Sequence, residues 1–198
     1  MSWQNGPMST ILTHPVVPLA LGVGLGARTL PPRLIVLGCL LCILPDIDVL
    51  AFRLGIPYAS PWGHRGFTHS LFFAAVVALL FTPLVLRYAA GPMRSFLFLF
   101  LVIASHPLLD MATNGGLGCA LFWPLDDSRY FLPWRPLMVS PIGGGFLSEW
   151  GLRVLRNELI WVWSPAMTAA ALLWLVRWWK RLGCHKRPAA SESTIDPD

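Results

Sequence analysis

Charge is scarce in this chain. Aspartate, glutamate, lysine and arginine make up 13% of its 198 residues, where a soluble domain carries about 25%. With a mean hydropathy of +0.59, that scarcity excludes an ordinary water-soluble domain and points to a bilayer. Also lacking are a long polar linker and an internal repeat, so residues 1–187 read as one membrane-embedded domain. No basic region precedes the first apolar run and no clear cleavage site follows it, so no removable signal peptide is expected. Only the tail, residues 188–198, is polar and unpatterned, and it is expected to be disordered. Cysteine is sparse too. "CLLC" at Cys39–Cys42 has the spacing of a redox or zinc pair, but it lies within an apolar run and reads as small packing residues. No feature calls for a nucleic-acid partner.

Apolar runs are what the chain does have. A spanning helix needs about 20 mostly apolar residues. Leu34–Leu50, Ser70–Tyr88, Phe96–Leu109 and Leu159–Trp179 meet or approach that. A fifth run, His14–Ala27, is short and carries Gly22, Gly24 and Gly26. It reads as a spanning or half-spanning helix whose small residues allow close packing. Phe146–Ile160 has apolar residues near helical spacing with Arg153, Arg156 and Glu158 between them, and reads as an interfacial amphipathic helix. The expected fold is therefore an all-α integral membrane protein, a compact bundle of about five transmembrane or half-spanning helices with an outer loop and an interfacial helix. Positive charge gives an orientation. Arg28 and Arg33, Arg87 and Arg94, and the group from Arg177 to Arg187 share one side of a five-helix zigzag, which should be cytoplasmic. The N-terminus is then outside.

That zigzag gathers the rare polar residues. His14 opens the first helix, Asp46 and Asp48 close the second, His64 and His69 precede or begin the third, and His106 and Asp110 close the fourth. All would lie at the non-cytoplasmic side. Should the first helix fail to span, His14 would leave the group. An ionised side chain near hydrocarbon costs about 2.5–3.5 kcal/mol at a helix centre, so seven such residues together call for a partner. Imidazole and carboxylate are ligands for divalent transition metals, zinc first and manganese second. Seven residues exceed the ligands of one catalytic zinc and would suit one or two ions. His106 and Asp110 share a helix face if Pro107 permits the helix. Asp46 and Asp48 point the same way if the chain is extended after Pro45. His64 and His69 span a turn permitted by Gly66, with Thr68 placed to cap the next helix. His185 in the basic tail reads as a solvated residue.

"LPDID", "HRGFTHS" and "SHPLLD" in this order, after an N-terminal "TH", resemble the YdjM-like family of inner-membrane proteins described as metal-dependent hydrolases. The resemblance covers about residues 10–170. It implies a small helical bundle, a hydrolase activity, and Asp46, Asp48, His64, His69, His106 and Asp110 as metal-site residues, with His14 in addition. It names no substrate, and Pro107 departs from a plain helix former in the last motif.

The expected activity is metal-assisted hydrolysis of a phosphoester or other ester of a membrane lipid. His64 or a spare carboxylate would serve as general base. Arg65, on a turn near water, would hold an anionic group with its planar fork or else pair with an aspartate. Two other classes remain: a metal or proton transporter, and a scaffold whose metal is structural. A transporter needs polar residues through the bilayer depth, and the runs Ser70–Tyr88 and Leu159–Trp179 have almost none between their ends, while the candidates gather at one face. Oligomeric state is not legible here.

Overall fold

In the computed structural model, residues 12–87, 91–140 and 148–184 are described. Among them the chain is all helical, with two isolated β-bridges, Thr113 to Leu137 and Cys119 to Tyr130, and no strand. The polar tail, His185 and residues 141–147 lie outside the described residues.

Helix α1 spans Val16–Leu25 and stops at Gly26, whose φ of 71° a side chain would resist. Helix α2, Pro32–Leu41, opens on a proline that fixes the first helical φ. The run then tightens into a 3-10 turn, Leu44–Val49, followed by the short helix α3, Leu50–Arg53. "LPDID" is thus coiled, not extended. Pro45 near the start of a helical turn satisfies its fixed φ without a lost hydrogen bond, and the apolar run continues through it. Helix α4, Leu71–Val85, begins at Ser70, whose hydroxyl accepts from the Phe73 N–H at 3.0 Å. Helix α5 covers Pro92–Met111 and contains Pro107 without breaking. Helix α6, Glu149–Glu158, runs through a π turn, Leu159–Trp163, into α7, Ser164–Cys184.

The amphipathic segment is therefore not a separate interfacial helix. It is the first part of one 34-residue helix, Glu149–Leu182. Gly151, Val154 and Glu158 face the bundle while Trp150, Leu152, Leu159 and Ile160 stay exposed, and further along Val162 packs with Val16 and Leu137.

Among the described residues, three segments are long and apolar enough to cross a membrane: Pro32–Arg53, Pro92–Met111 and Glu149–Leu182. The ten residues of α1 rise only about 15 Å, half the ~30 Å of a hydrocarbon core. The core forms where Leu99, Val102 and Ile103 of α5 meet Leu34 and Leu41 of α2 and Ala74, Val77 and Ala78 of α4. Lipid is as apolar as these side chains, so close contact, not escape from water, holds the helices together. The α1–α7 contact shows it. A Cβ on Gly24 would meet Leu173 Cδ1 at 3.1 Å and the backbone of Ala170 at 3.4 Å. Arg177 Nη1 donates to the Gly24 carbonyl at 2.7 Å.

Candidate metal centre

Every histidine and aspartate singled out in the motifs reaches one buried cluster. His14, His64, His69, His106 and Asp110 have no exposed surface, and Asp46 and Asp48 keep 8% and 7%. His106 and Asp110 project from one face of α5, so Pro107 does not prevent the i, i+4 arrangement. The aspartates come from the turn after α2. His69 comes from a second 3-10 turn, Phe67–His69, just before α4.

Four donor atoms converge. His106 Nε2 lies 3.1 Å from His69 Nε2 and 3.3 Å from Asp46 Oδ1. His69 Nε2 lies 3.2 Å from Asp110 Oδ2 and 3.8 Å from Asp46 Oδ1. His106 Nε2 and Asp110 Oδ2 are 3.7 Å apart. Ligands at 2.0–2.1 Å in tetrahedral array have edges of about 3.3 Å, which these distances bracket. Both oxygens of Asp46 are buried without a hydrogen-bond partner. A carboxylate left so would be costly in hydrocarbon, whereas a cation would satisfy it. The four residues thus fit a single divalent ion on chemistry and on geometry.

The remaining residues surround those four, and Asp48, His64 and His69 form a second group whose donor atoms lie within 4.8 Å of one another. His106 Nδ1 faces the Cys42 carbonyl at 2.7 Å, which directs its Nε2 inward. Asp48 accepts from His64 Nδ1 at 2.6 Å, from the Arg65 N–H at 3.0 Å and from the Thr68 hydroxyl at 2.6 Å, and sits 3.1 Å from His69 Nδ1. Thr68 is therefore engaged with Asp48, and Ser70 takes the capping role expected of it. His69 belongs to the turn before that cap and does not begin α4. Burial alone would depress its basicity, but the charges of Asp48 and Asp110 outweigh burial and raise its pKa to about 9. His14 stacks on His106 with ring centroids 3.7 Å apart.

Short α1 does not remove His14 from the group. Ten-residue α1 and α2 both lead from the Arg28–Arg33 turn to the cluster, placing it about 15–20 Å from that turn. The site is sunk within the bundle and not spread on its face.

Arg65 also departs from the expected water-facing turn. Its φ is 59°, so Arg65 itself takes a left-handed conformation in this turn. Gly66 is needed for space: a Cβ would fall 2.1 Å from the Pro61 carbonyl oxygen. Arg65 has no exposed surface. Its Nε lies 3.1 Å from Asp110 Oδ2. Its Nη1 donates to Thr113 Oγ1 at 3.1 Å and to the Gly115 carbonyl at 3.2 Å, and Nη2 has no partner.

Sequence reasoning passed over two polar residues. Arg129 donates to the carbonyls of Tyr58, Ser60, His64 and Gly118 at 2.7–3.3 Å, tying the loop that carries His64 to the one after α5. Glu158, 1% exposed, accepts from Thr13 Oγ1 at 2.6 Å, one residue before His14. No motif flags either, because a lone charge in a loop or on an amphipathic helix resembles a solvated one.

A bundle of membrane helices around a buried His/Asp cluster is the class that these features define. The chain belongs to the family described as YdjM inner membrane protein, which matches residues 8–182. It is 45% identical over 176 residues to inner membrane protein YbcI of Escherichia coli K12, covering 88% of this chain and 99% of that relative. It is 37% identical over 137 residues to inner membrane protein YdjM of the same organism, covering 64% of this chain and 63% of that relative. The YdjM protein of Shigella flexneri matches to the same extent. No solved structure matches.

Proposed function

We propose that this protein is a metal-dependent hydrolase of the bacterial inner membrane, acting on a lipid-borne ester, with a phosphoester first. The observation that supports it most is the convergence of Asp46, His69, His106 and Asp110 around the buried, otherwise unpartnered Asp46 carboxylate. These four would hold the ion, zinc first and manganese second. When bound, such an ion lowers the pKa of water toward 7 and neutralises charge on the substrate. One ion suits the arrangement better than two. A neutral His69 that offers Nε2 as ligand carries its proton on Nδ1, facing Asp48, and has no second lone pair to give.

The chain's own groups supply the proton chemistry. Asp48 holds His64 Nδ1 at 2.6 Å, which favours the tautomer with the proton on Nδ1. His64 Nε2 then keeps its lone pair, and it has no hydrogen-bond partner. This is the arrangement of a general base oriented by a carboxylate. Arg65 offers its unpartnered Nη2 to an anionic oxygen. The site faces the non-cytoplasmic side in this reading, on the arginine and lysine distribution.

A second reading has an observation in its favour. Four protein ligands in a closed, buried cage resemble a structural metal site, which would make the protein a scaffold. Metal analysis of detergent-purified protein, followed by a lipid-extract hydrolysis screen with Asp46→Ala as control, separates the two. Stoichiometric metal with metal-dependent turnover supports the hydrolase. Metal without turnover supports the scaffold.

A further inference from the structure

A buried site needs a way in. The cluster is sealed at every donor atom that forms it, yet one cavity lies against its arginine. Pro57, Tyr58, Ala59, Gly116 and Leu117 line a space of about 350 Å³ between the loop after α3 and the glycine-rich loop after α5. Gly116, which lines this space, also lies close to the guanidinium. A Cβ built on Gly116 would lie 2.9 Å from Arg65 Nη1 and 2.7 Å from Tyr58 Oη. Arg65 therefore reaches from Asp110, 3.1 Å from its Nε, to the underside of Gly116.

The Tyr58 ring is packed by Phe52 and by the Arg129 guanidinium, 5.4 Å from its centroid, and its hydroxyl is the lightly held end. Gly116 adopts φ +83° and carries no side chain. The Tyr58 hydroxyl is approached by the Leu117 N–H at 3.4 Å, beyond the usual range for a firm bond. The Tyr58 ring stacks 5.3 Å from the His64 ring. Arg65 Nη2 and His64 Nε2 are both buried without a hydrogen-bond partner.

We propose that this cavity is the substrate vestibule, that Tyr58 is its gate, and that Arg65 Nη2 binds the anionic oxygen of a phosphate ester admitted past it. The absence of a side chain at Gly116 keeps the approach to the guanidinium narrow but passable. Swinging the Tyr58 ring aside would expose the anion-binding nitrogen and the proton acceptor together, without disturbing Asp46, His69 or His106. The inference rests on the hydrolase reading for its ligand class, since a structural metal would need no entrance.

The test uses the full-length, metal-loaded protein in detergent, with phenyl phosphate as probe and benzoate as the carboxylate comparison. Binding is read from the rise in unfolding midpoint with probe concentration. Ala59→Trp fills the vestibule from an exposed position and touches none of the cluster. It should keep full metal content and weaken phenyl phosphate at least tenfold. Tyr58→Ala should bind the probe at least as tightly as wild type and associate faster. Benzoate should bind more weakly than phenyl phosphate in all three proteins. Equal probe binding by wild type and Ala59→Trp overturns the vestibule. No probe binding by metal-loaded wild type overturns anion recognition at Arg65. The hydrolase reading fails separately, if metal-loaded wild type hydrolyses nothing in the lipid screen while still binding the probe through the vestibule.

Discussion

Replacing Asp48 by asparagine separates a residue that orients from one that ligates. The carboxylate accepts three hydrogen bonds, from His64 Nδ1, the Arg65 N–H and the Thr68 hydroxyl, and a fourth group, His69 Nδ1, is 3.1 Å away. Asparagine keeps one acceptor oxygen and replaces the other by an amide donor. If the oxygen stays on the crowded Oδ2 side, the amide faces His64 Nδ1. That imidazole must then turn its lone pair to Nδ1 and place its proton on Nε2, where the base is needed. Metal affinity should fall by about 10–100-fold, as for other partners of metal-bound imidazoles, which is about 1.4–2.7 kcal/mol. Turnover per bound metal should fall much further, by about 10⁴-fold, the scale set by a wrong-tautomer base in hydrolytic triads. Metal would be titrated against a competing chelator and turnover measured on the lipid found in the screen. Nitrogen NMR of labelled histidine would report the tautomer. Complete loss of metal in Asp48→Asn, matching Asp46→Ala, would make Asp48 a ligand. Turnover falling only in step with occupancy would remove His64 as the base.

Asp46→Ala and His69→Ala should each abolish stoichiometric metal by elemental analysis while the helical circular dichroism persists. Arg129→Ala should lower stability by about 3 kcal/mol or more, since four carbonyl contacts to a charged donor are lost together. Chemical unfolding and protease cleavage between residues 54 and 69 would show it. Thr13→Val should cost about 1.5–3 kcal/mol by removing a hydrogen bond to the buried Glu158 carboxylate, read as a lower unfolding midpoint with metal retained. In metal-free protein, the raised pKa of His69, about 9 against 6.5, stabilises the fold fully below pH 6.5. That contribution should be lost as pH rises through 9. Unfolding midpoints from pH 6 to 10 check the sign, and His69→Ala should flatten the decline.

The helices are legible in the sequence because apolar runs and prolines act locally. Pro32 and Pro92 open α2 and α5, Ser70 caps α4, and the runs between them have nowhere to go but a helix in lipid. The cluster residues are legible for the opposite reason. Imidazole and carboxylate are costly at that depth, so their recurrence at helix ends signals a common site before any distance is known. Roles within the site are not legible, because they depend on turns whose geometry the motif does not state. Asp46 and Asp48 are two residues apart in one apolar phrase. The 3-10 turn aims the first at His106 and the second at His64. Arg65 looks like a surface arginine beside two glycines, yet its left-handed backbone sends the guanidinium beneath Gly116 to Asp110. Glu158 and Arg129 each act across more than 60 residues of chain, and no local pattern records such contacts. Both hold backbone or buried polar groups next to a cluster residue, Thr13 beside His14 and the carbonyl of His64. The cluster is thus fixed from two sides by charges that bind no metal, and a substitution at either should disturb the cage through its supports and not through its ligands.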